Sequence, residues 1–181
     1  MKHNERAGFT MLEVMIATSV TIMIFGFLYQ VLYGSQRLSS TTLSLGRIEE
    51  AGSQAALAMT SEIRWADPTL LLITTEAGSD RIDFRVVADY VAGTVLWSPM
   101  ITYRYEPSPV DWDGNGVLDE GTVTRTQSGD RRVICRRVGA GGLVIDQDEN
   151  TVSIQLTLFA TDDDGLIHRR SVQTSVTLLN R

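Results

Sequence analysis

Oxygen-bearing residues recur at alternate positions in the middle of the chain, in a spacing that suits a hard cation. They are Asp111, Asp113, Asn115, Val117 through its backbone carbonyl, and Asp119. Gly116 allows the sharp turn that brings such ligands together, so the stretch predicts a Ca²⁺ site. The fit is incomplete, because Thr122 stands where calcium loops of this spacing ordinarily supply a bidentate Glu. An acidic hairpin loop without an ion is the alternative that the sequence leaves open.

No arrangement of residues in the sequence predicts an active site. The chain has one cysteine, Cys135, and two histidines, His3 and His168, without a recognisable nucleophile or metal partner in sequence. We therefore predict that the protein is not an enzyme and that Cys135, which lies in an apolar stretch, is a small buried hydrophobe. The net charge of -6 and the lack of a basic stripe also argue against nucleic acid as the main ligand.

A lone carboxylate near the N-terminus is the other chemically unusual feature. Glu13 lies in a long apolar run, and no further charged residue follows it until Arg37. The run is preceded by Gly8 and Phe9 and by a short leader that carries Lys2 and Arg6. An ionisable side chain within a membrane-spanning segment is costly, so Glu13 is predicted to be functional.

The spacing of Gly8, Phe9, Thr10 and Glu13 resembles the N-terminal signal of type IV pilins and type II secretion pseudopilins. The resemblance implies that a prepilin peptidase cuts after Gly8 and methylates the new N-terminal Phe9. It also implies that Glu13 serves assembly by pairing with the Phe9 ammonium inside a filament. The implied partners are other minor and major pilins, the inner-membrane assembly platform and, before assembly, membrane lipid.

The rest of the chain is loosely similar to the larger minor pilins. The signs are the Ile82-Asp83-Phe84-Arg85 segment, the Tyr103-Arg104-Tyr105 segment and a long C-terminal hairpin. Such subunits start or cap a filament and sit at its tip. The sequence does not distinguish a type IV pilus from a secretion pseudopilus or a DNA-uptake pilus.

Other functional classes remain open. A cleaved secretory signal fits poorly, because the apolar run is too long and no small-residue cleavage site closes it. A plain single-pass anchor explains the apolarity but not Glu13. The main alternative is a membrane-anchored extracytoplasmic binding or adhesion module, which could be Ca²⁺-dependent and located at a tip. A membrane-tethered enzyme would need a site that the sequence does not show.

The apolar run is long enough to cross a bilayer. A helix from residue 9 to residue 32 would extend about 36 Å. Lys2 and Arg6 precede it, which predicts a cytoplasmic N-terminus. We therefore expect a leader over residues 1–8, a transmembrane and filament-core helix over 9–33, and an extracytoplasmic domain over 34–181. The protein would begin in the inner membrane and move into a pilus or pseudopilus.

The remaining pattern predicts an α+β fold. Apolar residues spaced by about three, four and seven continue the helix as an amphipathic half that ends near Ala66, before Asp67-Pro68. They are Leu38, Leu45, Ile48, Ala55, Met59 and Ile63. Beyond Pro68, strict alternation predicts strands over 82–88, 101–105, 152–161 and 172–178. One long N-terminal helix packed on an antiparallel β-sheet is the predicted architecture, which is pilin-like.

Overall fold

The computed structural model describes residues 9–76, 78–109, 120–161 and 165–179. It confirms the predicted α+β fold, with one long N-terminal helix packed on a curled antiparallel sheet. The chain divides into two compact units, Met1–Thr42 and Leu43–Arg181. The predicted boundary between residues 33 and 34 refers to the membrane, and it stays a prediction.

The helix α1 runs from Met11 to Ile63 and is slightly shorter at both ends than predicted. It begins two residues late because Thr10 acts as its N-cap rather than as a helical residue. It ends early because Ala66 donates its N–H to Ile63 and pairs with Val86 as an isolated β-bridge. Asp67 is extended, as expected before a proline, and its carboxylate caps a short 3₁₀ helix, Pro68–Leu70.

Within the described residues, nine strands follow the helix. They are β1 Leu72–Glu76, β2 Ser79–Phe84, β3 Val87–Val91, β4 Thr94–Trp97, β5 Ile101–Pro107, β6 Glu120–Gln127, β7 Asp130–Asp148, β8 Thr151–Thr161 and β9 Ile167–Thr177. Seven form one antiparallel sheet in the order β1-β2-β5-β6-β7-β8-β9, and β3 pairs with β4 in a separate two-stranded sheet. The sheet curls, since the Ile145 N–H in β7 donates to Asp80 in β2 over 2.8 Å although two strands lie between them.

The prediction of one strand over residues 82–88 is wrong. Strand β2 ends at Phe84, and Arg85 lies outside any strand. Val86 instead pairs with Ala66 at the end of the helix, and its N–H and carbonyl both bond to Ser98. The chain therefore leaves the main sheet at Arg85 and starts the β3–β4 hairpin.

The predicted C-terminal hairpin is confirmed. Strands β8 and β9 pair antiparallel from Thr151–Thr177 to Thr161–Ile167. One face of β8 is fully buried, because its alternate residues are apolar: Val152, Ile154, Leu156, Leu158 and Ala160. The acids at 162–164 that precede Gly165 lie outside the described residues.

The second part of α1 packs on this sheet with an apolar stripe. Ile48, Ala55, Met59 and Ile63 are buried as predicted, but Leu38 is exposed and the buried stripe starts near Leu45. Gly52 allows the closest approach, because a Cβ at this position would overlap the side chain of Leu158. The stripe therefore combines large side chains with one glycine that lets helix and strand meet.

Cys135 lies in the core of the sheet, as predicted. It is buried among apolar residues, and burial raises the pKa of its thiol to about 11. The thiol therefore stays protonated near neutral pH, which suits a packing role rather than a nucleophile.

Candidate functional site

The residues singled out at the N-terminus form a reciprocal cap on α1. The Glu13 carboxylate accepts hydrogen bonds from the Thr10 N–H at 2.9 Å and from the Thr10 hydroxyl at 3.1 Å. In return, the Glu13 N–H donates to the Thr10 hydroxyl oxygen at 3.2 Å. Thr10 and Glu13 thus occupy the two positions of a capping box, with Glu13 in the first turn of the helix.

This cap stabilises the negative charge of Glu13 through groups of its own chain. The helix N-terminus carries a partial positive charge and unsatisfied N–H groups, both of which favour a carboxylate. Phe9 precedes the cap and is highly exposed, and Gly8 lies outside the described residues. Glu13 is therefore hydrogen-bonded to Thr10, a contact that the motif in the sequence did not predict.

The segment that follows the cap is apolar and fully exposed. Every residue of α1 from Met11 to Ser39 is exposed in the structure, including the phenylalanines at 25 and 27. The segment is long and apolar enough to cross a membrane, which is compatible with a single-pass anchor. A helix that is apolar all round needs a covering of lipid or of other protein.

Three hydroxyl side chains inside this segment are satisfied locally. Thr18 and Ser19 donate to the Met15 carbonyl at 3.0 and 2.8 Å, and Thr21 donates to Ala17 at 2.7 Å. These hydroxyls therefore bond back to carbonyls of the preceding turn. The helix can therefore carry three hydroxyls without exposing an unpaired donor to an apolar surrounding.

Two tyrosines lie near the end of the apolar run. The rings of Tyr29 and Tyr33 stack with their centroids 6.2 Å apart. Tyrosine at this position suits the interface between hydrocarbon and water, because its ring is apolar and its hydroxyl is polar. The pair has a readable signal in the sequence, because two tyrosines four residues apart lie on the same face of a helix.

The predicted Ca²⁺ loop has five ligand residues. Asp111, Asp113, Asn115, Val117 and Asp119 all lie outside the described residues. Thr122, the twelfth place of the loop, lies within β6 and pairs with Glu106 and Arg136. Within the described parts of the chain, no group of three or more His, Cys, Asp or Glu residues could hold a metal ion. The Ca²⁺ prediction stays a prediction.

A second polar cluster joins the end of α1 to the sheet. The Glu62 carboxylate accepts from Arg125 Nε with both oxygens, at 3.0 and 2.9 Å, and from the Tyr103 hydroxyl at 2.9 Å. Arg125 also donates to the side-chain oxygen of Gln127 at 2.7 Å. The cluster ties residues that are far apart in sequence, so it fixes the end of the helix on β5 and β6.

The electrostatics of this cluster follow from burial and pairing. Burial, together with the negative charge of Glu62, raises the pKa of Tyr103, so its hydroxyl remains a donor. Burial disfavours the charged form of Arg125. The hydrogen bonds and the negative charge of Glu62 outweigh this effect of burial and raise the pKa of Arg125. Glu62 and Arg125 are therefore an ion pair whose charges cancel.

Sequence reasoning missed this cluster, although part of it was readable. Val123 is fully buried in β6, and Arg125 shares its face because residues two apart in a strand point the same way. A basic residue on the core face of a strand requires a buried acceptor. The identity of that acceptor, Glu62, depends on the tertiary fold and has no local signal.

Searches for relatives returned no match to a family model, to a curated protein or to a solved structure. The fold is therefore known from the structure itself. The similarity of residues 8–13 to the pilin signal remains a resemblance.

Proposed function

We propose that this protein is a minor pilin or pseudopilin, a membrane-inserted subunit that initiates or caps a type IV pilus-like filament. The observation that carries the proposal is Glu13, the one carboxylate in the apolar, exposed first part of α1 (residues 11–39), where it is bonded to the N-terminal turn. The α+β architecture supports it, because a long helix packed on an antiparallel sheet is the predicted pilin-like plan. In this proposal the protein is not an enzyme.

Processing assigns roles to Gly8 and Phe9. A prepilin peptidase would cut after Gly8, whose missing side chain allows close approach to the backbone. The new N-terminus at Phe9 would carry an N-methylated ammonium. Two residues of the leader are basic, so the N-terminus would face the cytoplasm. The unit Leu43–Arg181, which contains the sheet and is called the β-domain below, would face outward.

Assembly assigns a role to Glu13. In the inner membrane, the cap with Thr10 supplies three hydrogen bonds that stabilise the first turn and its carboxylate. In a filament core, the Phe9 ammonium of the same or an adjacent subunit would pair with Glu13. An uncompensated buried charge costs several kcal/mol, so this pairing would favour correct register between subunits.

The acidic loop would add a Ca²⁺ site to the extracytoplasmic domain. Asp111, Asp113, Asn115 and Asp119 would supply side-chain oxygens, and Val117 would supply a carbonyl. Thermal unfolding of the full chain in nanodiscs should then show a higher Tm with Ca²⁺ than with Mg²⁺ or chelator. Asp113→Ala should abolish the difference, and identical Tm values in all three conditions would leave the loop as an acidic turn.

The assembly role is tested by comparing two carboxylates on the same helix. Glu13→Ala should remain in the membrane and be processed, but its amount in sheared filaments should fall at least tenfold. Glu49→Ala is the matched control, because Glu49 is exposed and lies beyond the apolar segment. Quantitative immunoblots of membrane and filament fractions give both values. Normal incorporation and methylation of Glu13→Ala would remove Glu13 from the mechanism and the main support from the proposal.

A further inference from the structure

An open groove of about 760 Å³ lies in the β-domain beside the end of α1. We call it the helix-end groove. Its walls include the rings of Trp65, Tyr90 and Trp97, and its polar lining includes Glu62, Arg125 and Gln127. Pockets of this size, apolar with a few convergent polar groups, are typical of sites for small ligands. The proposed filament role makes no use of this groove.

One wall of the groove is an apolar face of the β3–β4 hairpin. Val87 pairs with Trp97 and Tyr90 pairs with Val95, and all four residues line the groove. A two-stranded hairpin is marginally stable alone, so an apolar face of this kind ordinarily packs on a core. Here Tyr90 is instead 55% exposed. The hairpin thus presents aromatic surface to the groove.

The polar lining favours a neutral ligand. Glu62 and Arg125 are paired, with their side chains 34% and 16% exposed, so their charges cancel at the surface of the groove. Asp67 already accepts hydrogen bonds from the Thr69 N–H at 2.8 Å and hydroxyl at 2.6 Å. An anion would meet two carboxylates against one guanidinium. A cation would have to compete with Arg125 for Glu62 and with Thr69 for Asp67.

The remaining hydrogen-bonding capacity suits hydroxyl groups. Gln127 accepts from Arg125 with its oxygen, which leaves its NH₂ group as a donor. Asn150, which also lines the groove, carries both a donor and an acceptor on its amide. A ligand that bonds to these groups must itself be rich in donors and acceptors and must have an apolar face for the aromatic rings.

We propose that the helix-end groove binds a neutral carbohydrate. A sugar ring presents a C–H face that can lie on Trp97, Trp65 or Tyr90, and hydroxyls that can bond to Gln127, Asn150 and the outer atoms of the Glu62–Arg125 pair. The groove has room for a short oligosaccharide. Glycan recognition goes beyond the proposed filament role and stands or falls separately from it, because no residue of the groove is shared with Gly8, Phe9 or Glu13.

The test uses the full chain in lipid nanodiscs and isothermal titration calorimetry. The probes are four neutral trisaccharides (maltotriose, cellotriose, mannotriose and N,N′,N″-triacetylchitotriose), together with anionic sialyllactose, cationic trilysine and the apolar peptide trileucine. We expect saturable, millimolar binding of at least one neutral trisaccharide, with a Kd that is unchanged between low and high salt. The insensitivity to salt follows from a neutral ligand, whose binding is not screened.

Variants locate the binding in the groove. Trp97→Ala should raise the Kd for that trisaccharide at least tenfold, whereas Leu96→Ala should leave the Kd unchanged. Leu96 is the matched control because it neighbours Trp97 and is exposed but does not line the groove. Gln127→Ala provides a second variant that leaves the hairpin untouched, and circular dichroism checks the fold of each.

Four results would overturn the proposal. The first is no binding of any neutral trisaccharide up to about 20 mM, a level that corresponds to a free energy near -2.3 kcal/mol. The second is binding by sialyllactose or trilysine alone, and the third is binding by trileucine alone. The fourth is an equal loss of binding in Trp97→Ala and Leu96→Ala. Loss of binding in Gln127→Ala together with retention in Leu96→Ala would support it even where Trp97→Ala fails to fold.

Discussion

The two parts of α1 differ in which of their side chains are buried. Residues 11–39 are exposed on every side and consist mainly of large apolar side chains, whereas residues 48–63 bury one stripe and expose polar residues elsewhere. The second part is stabilised by its contact with the sheet. The first part exposes a large continuous apolar surface, and contact of such a surface with water is unfavourable. It therefore requires a covering of lipid or of other protein.

Exposure alone does not separate these two situations. Ile22 in the first part and Leu57 in the second are 71% and 65% exposed. Their neighbours differ, because Ile22 lies on a face with Met15 and Tyr29, whereas Leu57 lies on a face with Glu50 and Arg64. The surrounding residue types, rather than the exposed fraction, indicate whether a surface meets hydrocarbon or water.

The largest expected difference concerns two methionines. Met59 is fully buried against the sheet, and Met15 is exposed near the start of α1. Met59→Ala should lower the free energy of unfolding of the β-domain by about 2–5 kcal/mol, because it leaves a cavity. Met15→Ala should change it by less than about 0.5 kcal/mol. Urea titration of the full chain in nanodiscs measures both values, and equal effects would contradict the division of the helix.

A charge placed on each part sharpens the comparison. Ile22→Arg should disfavour membrane insertion by about 3 kcal/mol, the approximate cost of an arginine near the centre of a span. Leu57→Arg should insert like the unmodified chain, although its position is about as exposed in the structure. An insertion assay with glycosylation sites on either side of residues 9–33 reports the inserted fraction. Equal insertion of both variants would argue against the membrane assignment of the first part.

A smaller difference is expected at two glycines. A Cβ at Gly52 would overlap Leu158, whereas nothing lies within 4 Å of a Cβ at Gly26. Gly52→Ala should therefore destabilise the β-domain by about 1–3 kcal/mol through overpacking, less if Leu158 shifts its rotamer. Gly26→Ala should leave that stability unchanged. Thermal unfolding of both variants decides the matter, and a stabilised Gly52→Ala would show that the helix and sheet are not in close contact.

Much of the fold could be predicted from periodicity. The apolar stripe of α1 and the alternation in β8 gave the helix, the C-terminal hairpin and the α+β class, because burial enforces both periods. The break at Arg85 could not be predicted, since alternation continues through Val86 while its partner, Ala66, is set by the tertiary fold. The boundaries of α1 shifted because capping by Thr10 and bridging by Ala66 replaced helical hydrogen bonds.

The candidate sites were predictable to different degrees. Glu13 could be identified because a charge in an apolar run is unusual. Its hydrogen bonds to Thr10 became visible only in the three-dimensional structure. The Glu62–Tyr103–Arg125 cluster joins residues on three elements, and no local pattern pairs them. The aromatic groove was not predicted for the same reason, since Trp65, Tyr90 and Trp97 come together only when the hairpin folds over the end of the helix.

The filament proposal is tested most directly by mass spectrometry of the protein purified from its native membrane. The proposal requires processing between Gly8 and Phe9, and it predicts a mature chain that begins with N-methylated Phe9. The Gly8→Val variant should retain residues 1–8. A native chain that begins at Met1, or that is cut beyond residue 20, would contradict the assignment of this protein to a pilus-like filament.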